Sequence, residues 1–245
     1  MKILSMIKGI ISGLLILIIS SSCFANDFSI FYDCSTMPDI ASPPWDIIGR
    51  GNFELTVNSA ILHMENPDDL AWVLIERVDS LIIESSDLYV EARVKVPNGD
   101  GYNASPQIAL TSIDYNLPYG NRSHIWYAVD LYPDGISFTL IDNDNAGGGK
   151  FFGSYSIPDF DSRFHKITLY MHDSGDTRDF HVYVDDIEVI SALGEDKSRV
   201  INAVDIGYGL EVSIGDSYWD YMKYWSEDLI DTDNISWGSI KTQFK

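Results

Sequence analysis

The sequence predicts an all-β fold, a two-sheet antiparallel β-sandwich of the jelly-roll kind, and three observations predict it. Apolar and polar residues alternate with a period of two over many short segments. Glycine, proline, asparagine and aspartate punctuate those segments about every ten residues. No long segment carries the 3.6-residue period of an amphipathic helix.

The elements follow in order. Phe28 to Tyr32 alternates, and the prolines of MPDIASPPW make the next stretch a loop. Phe53, Leu55 and Val57 are expected to pair with Ala60, Leu62 and Met64 across an Asn58-Ser59 turn. Trp72 to Val78 and Asp87 to Val96 read as longer strands; in the second, Leu88, Val90, Ala92, Val94 and Val96 share one side. Asn98-Gly99-Asp100-Gly101 closes it. Gln107 to Ile113 and Ile125 to Tyr132 come next, and Pro133-Asp134-Gly135 turns the chain into Ile136 to Ile141. Asn143 to Gly149 reads as a loop and Phe151 to Ile157 as a strand.

The clearest pattern is DFDSRFHKITLYMHDSGDTRDFHVYVDDIEVI, residues 159–190. Ile167, Leu169 and Met171 share one face; after the polar turn, Phe180, Val182 and Val184 resume it, and Asp185-Asp186 leads into Ile187 and Val189. Val204 to Leu210 and Tyr218 to Trp225 complete the strands, and Ile235, Ile240 and Phe244 are spaced for a short terminal helix.

At the N-terminus Lys2 and Lys8 precede the apolar run Ile10 to Ile19, followed by Ser20, Ser21 and Ser22, with Ala25 ahead of Asn26. Positive, then apolar, then small is the order of a secretory signal peptide, here residues 1–25, cut after Ala25. Cleavage before Cys23, as in a lipoprotein, is the alternative. The apolar run falls short of the ~20 residues that span a bilayer, so no membrane insertion is expected after cleavage. One jelly-roll domain over 26–226 and an acidic tail over 227–245 follow, exported to the periplasm, the cell surface or the medium. Removing Cys23 with the leader leaves Cys34 alone, so the core, not a disulfide, must stabilise the fold.

The chain has 16 lysines and arginines against 37 aspartates and glutamates, a formal charge of −21. Such a field disfavours nucleic acid and anionic membranes as partners. Two motif-like stretches fail on their chemistry. Asp142-Asn143-Asp144-Asn145-Ala146-Gly147 starts like a calcium loop, but Ala146 and Gly153 stand where oxygen ligands belong; Gly147-Gly148-Gly149-Lys150 is followed by Phe151 where a phosphate loop needs a hydroxyl. The five histidines show no sequence spacing typical of metal ligands. Asn103, Asn121 and Asn234 begin glycosylation sequons, meaningful only in a eukaryotic secretory pathway.

Four segments carry a resemblance: FYDCSTMPDIASPPW, LYVEARVKVPNGDGYNASPQIAL, FHKITLYM with FHVYVDDIEVI, and the closing IGDSYWDYMKYW. Together they resemble, in the right order along the chain, the concanavalin A-like lectin/glucanase jelly rolls, which include LamG-type modules and the laminarinase and lichenase β-glucanases. The resemblance implies a concave face for glycans. In the glucanases an E-x-D-x-x-E strand places nucleophile and general acid there, with carboxyls about 5.5 Å apart for retention. No such string occurs in this chain; the strand that would stand there, HIWYAVDLY, offers Asp130 alone. One acid cannot divide the two roles. Gln107 is followed by Ile108-Ala109, so the glutamine-histidine arrangement of jelly-roll lyases is missing too. The resemblance also implies a structural calcium bridging the chain ends, with Asp33 and Asp220 as the acids.

Tyr119, Asn121, Arg122, His124, Trp126 and Asp130 gather flat rings and hydrogen-bonding groups around one strand, the composition a sugar site needs. The expectation is an exported, non-catalytic, lectin-like module for a polysaccharide or glycoconjugate. A hydrolase or lyase with a non-standard site would need a second acid opposite Asp130, such as Glu91 or Glu76. A structural or protein-binding envelope protein is the other alternative.

Overall fold

The computed structural model describes residues 30–67, 72–78, 87–99, 106–113, 124–142, 148–196, 201, 203–208 and 215–226. The proposed leader and the terminal helix lie outside them. The described strands are β1 (Ile30–Tyr32), β2 (Asp46–Arg50), β3 (Glu54–Asn58), β4 (Ile61–Asn66), β5 (Trp72–Val78), β6 (Leu88–Gly99), β7 (Gln107–Ile113) and β8 (His124–Tyr132). They continue with β9 (Gly135–Asp142), β10 (Gly148–Ser156), β11 (His165–Asp173), β12 (Thr177–Val184), β13 (Ile187–Asp196), β14 (Ala203–Tyr208) and β15 (Gly215–Ser226). Among the described residues no helix is long and apolar enough to cross a membrane.

All pairings are antiparallel and fall into two sheets. Sheet one runs β13-β12-β11-β6-β15-β4-β3, with β1 also on β15; sheet two runs β10-β9-β8-β7-β14-β5-β2. Alternation decides which side chains lie between them. From sheet one come Leu88, Val90, Ala92, Val94 and Val96, all fully buried, with Ile167, Leu169, Phe180 and Val182. From sheet two come Ile108, Leu110, Val129, Leu131, Phe138, Val204 and Ile206. Contact across the layers is direct: Phe180 of sheet one stacks on Tyr127 of sheet two at 4.2 Å and tilts against Phe138 at 5.9 Å. At the other end, Trp45 packs edge-on to Tyr224 at 5.9 Å and beside Tyr32. Cys34 is free and fully buried, and burial pushes its thiol up to about 12.

Three local readings of the sequence are corrected. The first hairpin turns at Ser59-Ala60, both at positive φ, one residue later than the Asn58-Ser59 reading. DIIGR, which follows the proline loop, forms the edge strand β2 on β5. After the Asp185-Asp186 turn, a register shift between Val182 and Tyr183 puts an extra residue into β13. That bulge hands the buried position from Val189 to Ile190 and Ala192, because one added residue reverses the faces of a period-two strand beyond it; Ile187, opposite Val184 beside the turn, is exposed.

Candidate functional site

The strand that the resemblance sets against the glucanase acid strand is β8, in the middle of sheet two. Its odd positions from Ile125 to Leu131 join the core, so Trp126, Ala128, Asp130 and Tyr132 point to the outer face. The pattern Trp, Ala, Asp therefore occupies a row where a hydrolase of this fold would need acids. Tyr119, Asn121 and Arg122 lie outside the described residues, as does the His124 side chain.

Asp130 accepts hydrogen bonds from Thr139 Oγ1 at 2.9 Å and Ser137 Oγ at 3.3 Å, and Ser137 also meets the Tyr132 hydroxyl at 3.2 Å. Burial pushes the Asp130 carboxyl up to about 6, against the pull of those two hydroxyls. Cross-strand from Asp130 is Gln107, 3 % exposed, whose Nε2 is buried with no hydrogen-bond partner. An orphaned amide donor inside a protein is costly, and this one stands on the strand next to the Asp130 carboxyl. Gly207 pairs with Gln107 on the other side; it has φ +122°, and a Cβ there would meet the Val73 carbonyl oxygen at 2.3 Å. No side chain other than glycine's hydrogen fits that place in the row. Phe151, cross-strand from Thr139 on the edge strand β10, is an exposed ring on the same face.

Trp126 differs from expectation. It is buried, packed with Ala109, Ala128 and Ile141, and its ring is not offered to a ligand in this conformation. The sequence placed Trp126 in one strand with the other candidate residues but could not reveal that its face is covered.

One row along the sheet, Glu76 of β5 stands in register with Asp205 of β14. Both are buried, Asp205 completely. Asp205 Oδ2 accepts from Thr111 Oγ1 at 2.5 Å, and Glu76 and the Trp126 indole lie within its hydrogen-bonding surroundings. Burial first, and the charge of Glu76 second, push the Asp205 carboxyl well above the usual carboxylate range. Asp205 was missed at the sequence level; its only signal was an acid between apolar residues in AVDIGY. Glu76, named as a second acid for Asp130, lies three strands from β8 in the sheet order, roughly 14 Å at the usual strand spacing, too far for either glycosidase geometry. Glu91 is on the other sheet, where it pairs with Lys223 at 2.8 Å and accepts from Tyr221 at 2.8 Å and Tyr89 at 3.0 Å.

At the chain-end pair, Asp220 forms an ion pair with Arg93, not Lys223, and Asp33 Oδ1 accepts from Ser35 N at 3.0 Å and Ser35 Oγ at 2.6 Å. Both lie close enough to Cys34 for their charges to raise its thiol further. A calcium ion bridging Asp33 and Asp220 would have to compete with the Arg93 guanidinium.

No family model matches the chain, and no curated protein is similar to it. Solved structures are. An endo-1,3-β-glucanase from Streptomyces sioyaensis superposes with a TM-score of 0.53 at 14 % identity, over 82 % of this chain and 96 % of the glucanase. A carbohydrate esterase from a Shiga toxin-encoding bacteriophage, phi24B, gives 0.52 at 10 % identity, over 80 % and 97 %. An endo-β-galactosidase from Clostridium perfringens gives 0.51 at 10 % identity, over 80 % of this chain and 62 % of that one. At such identities the likeness concerns architecture alone. With its two facing antiparallel layers and the strand order above, the chain has the concanavalin A-like lectin/glucanase jelly-roll fold.

Proposed function

We propose that the protein is an exported, non-catalytic carbohydrate-binding module that takes a polysaccharide or glycoconjugate on the outer face of sheet two, around Gln107 and Asp130. The observation that carries this reading is the outward row of β8, with Trp126, Ala128 and Asp130 where a hydrolase of this fold needs paired acids. A carboxylate that accepts and an amide that donates, side by side, suit the vicinal hydroxyls of a sugar. The exposed Phe151 ring on the same face suits its apolar C–H surface. The carbohydrate-active structural neighbours support the substrate class, and the leader pattern supports export.

A second reading has one observation in its favour. Glu76 and Asp205 stand cross-strand as two buried acids on the same face, as a hydrolase with displaced acids would have. Gln107 and Asp205 are both buried, so burial does not separate the two readings; the binding reading is preferred because the outward row of β8 lacks paired acids. Calcium across Asp33 and Asp220 remains part of the proposal as a structural ion, to be set against Arg93.

A glycan array on the mature protein, with and without calcium, tests the reading alongside an assay for new reducing ends on each glycan bound. Binding without cleavage supports it. Cleavage that disappears in Glu76→Gln would establish the displaced acids instead, and silence across the array would favour a structural or protein-binding role.

A further inference from the structure

On the outer face of sheet one, far in sequence from one another, His63, Glu65 and Asp216 converge, and we propose that they form a site for a divalent first-row transition metal of the zinc class, tying β4 to β15. The proposal is independent of the reading of sheet two. His63 and Glu65 are the outward residues of β4, whose alternate members Leu62, Met64 and Asn66 are buried. Asp216 stands in register with Glu65 across the β4–β15 ladder. His63 Nε2 lies 3.0 Å from Asp216 Oδ1, and ligand atoms of all three residues fall within 4.8 Å of one another.

The donor set points to the ion. Zinc sits about 2.0–2.2 Å from imidazole nitrogen and carboxylate oxygen, which puts two ligand atoms of a tetrahedral set roughly 3.4 Å apart. His63 and Asp216 are already near that spacing, and turning the flexible Glu65 side chain brings in the third. One nitrogen with two carboxylates favours zinc, manganese or their neighbours over calcium, which prefers oxygen throughout.

Two further observations separate this group from a chance gathering of surface charge. The imidazole is oriented: it stacks on Tyr218 at 4.4 Å with only 9° between the ring planes, and Lys95 Nζ lies 4.8 Å from the centre of the Tyr218 ring. Such packing fixes the direction of Nε2, as supporting groups do for metal-binding histidines. Second, His63 alone of the three ligands also borders an open cleft of about 280 Å³, with Lys95, Phe164 and Tyr218. His63 and Asp216 are about a quarter exposed, at 24 % and 28 %.

Electrostatics agrees. Glu54 stands opposite Glu65, and Glu65 opposite Asp216, so three carboxylates lie abreast on neighbouring strands. Like charges facing each other across a ladder destabilise it, and a dication between Glu65 and Asp216 reverses that sign.

The test uses the purified protein stripped of metal with a chelator, titrated calorimetrically with zinc and, separately, with calcium. One equivalent of zinc is expected to bind, with calcium at least tenfold weaker, and a hundredfold excess of free zinc over Kd should raise the melting temperature by about 5–10 °C. His63→Gln and Asp216→Asn, each checked for an unchanged far-ultraviolet dichroism spectrum, should lose this binding by roughly a hundredfold, and Glu65→Gln by about tenfold. X-ray absorption at the zinc edge of the wild-type complex should show imidazole in the first coordination shell, a readout that holds if a variant fails to fold. Zinc binding that is absent from the wild type, equal in His63→Gln, or without imidazole at the metal overturns the proposal.

Discussion

The two outer faces of the sandwich differ in how they settle their charges. On sheet one, outward acids meet partners: Glu91 is held by Lys223 and two tyrosine hydroxyls, Asp220 by Arg93, Asp186 by Lys166, and Asp87 by His172 at 2.9 Å and Tyr170 at 2.7 Å. On sheet two, Asp205 is buried against the like charge of Glu76, Gln107 leaves Nε2 unmatched, and Asp130 is lifted by burial. Unmet polar groups inside a protein cost stability, and such cost persists where something other than stability is served. On the function proposed above, sheet one is scaffold, His63 and its neighbours apart, and sheet two the working face.

The largest expected effect breaks the backbone of the working face. Gly207→Ala puts a Cβ against the Val73 carbonyl at a φ that L-residues rarely adopt, and should cost about 3–5 kcal/mol in denaturant unfolding. Gly149→Ala on β10 meets its nearest atom at an ordinary 3.5 Å and should change stability by less than about 0.5 kcal/mol. Equal losses would show that the row beside Gln107 is not specially constrained.

Next come two isosteric changes predicted to move stability in opposite directions. Glu91→Gln removes the charge that Lys223 pairs with and weakens two hydroxyl contacts, so about 2–3 kcal/mol should be lost at pH 7. Asp205→Asn removes a buried charge facing Glu76 and should gain about 1–2 kcal/mol at pH 8. The sign of the pH dependence follows from the raised carboxyl. Its stabilising contribution is complete below the unfolded value of about 3.9 and is lost as pH climbs through the folded value, so the advantage of Asn should vanish near pH 3. Urea melts at both pH values check this, and a loss in both variants would erase the distinction between the faces.

The smallest effect concerns Asp130. With a carboxyl near 6, its ability to accept a ligand's hydroxyl should fall about tenfold between pH 7 and pH 5, and Asp130→Asn should flatten that profile. Affinity independent of pH in the wild type would remove Asp130 from the site.

Much of this architecture was readable from side-chain alternation. The buried faces of β6, β11 and β12 follow the period of two, and β5 and β7 match their expected ends. The pattern failed where a local feature outranked it: DIIGR is short and glycine-containing, so β2 was passed over, and the bulge in β13 moved burial from Val189 to Ile190. Of the site, the face of Trp126 and Asp130 was readable because alternation fixes it within one strand. What stands beside a residue was not. Glu76 with Asp205, Gln107 with Asp130, Arg93 with Asp220, and His63 with Asp216 each join separate strands, the last across 153 residues, and pairings of that kind depend on sheet order. The histidine spacing along the chain was uninformative for the same reason.

The central claim is tested most directly by calorimetric titration of one glycan, the strongest on the array, into wild type, Gln107→Ala and Glu91→Gln. A site on sheet two predicts that Gln107→Ala binds at least about tenfold more weakly while Glu91→Gln, once folded, binds as the wild type does. Undiminished binding by Gln107→Ala, with loss in Glu91→Gln, would contradict the account and move the ligand to the opposite face.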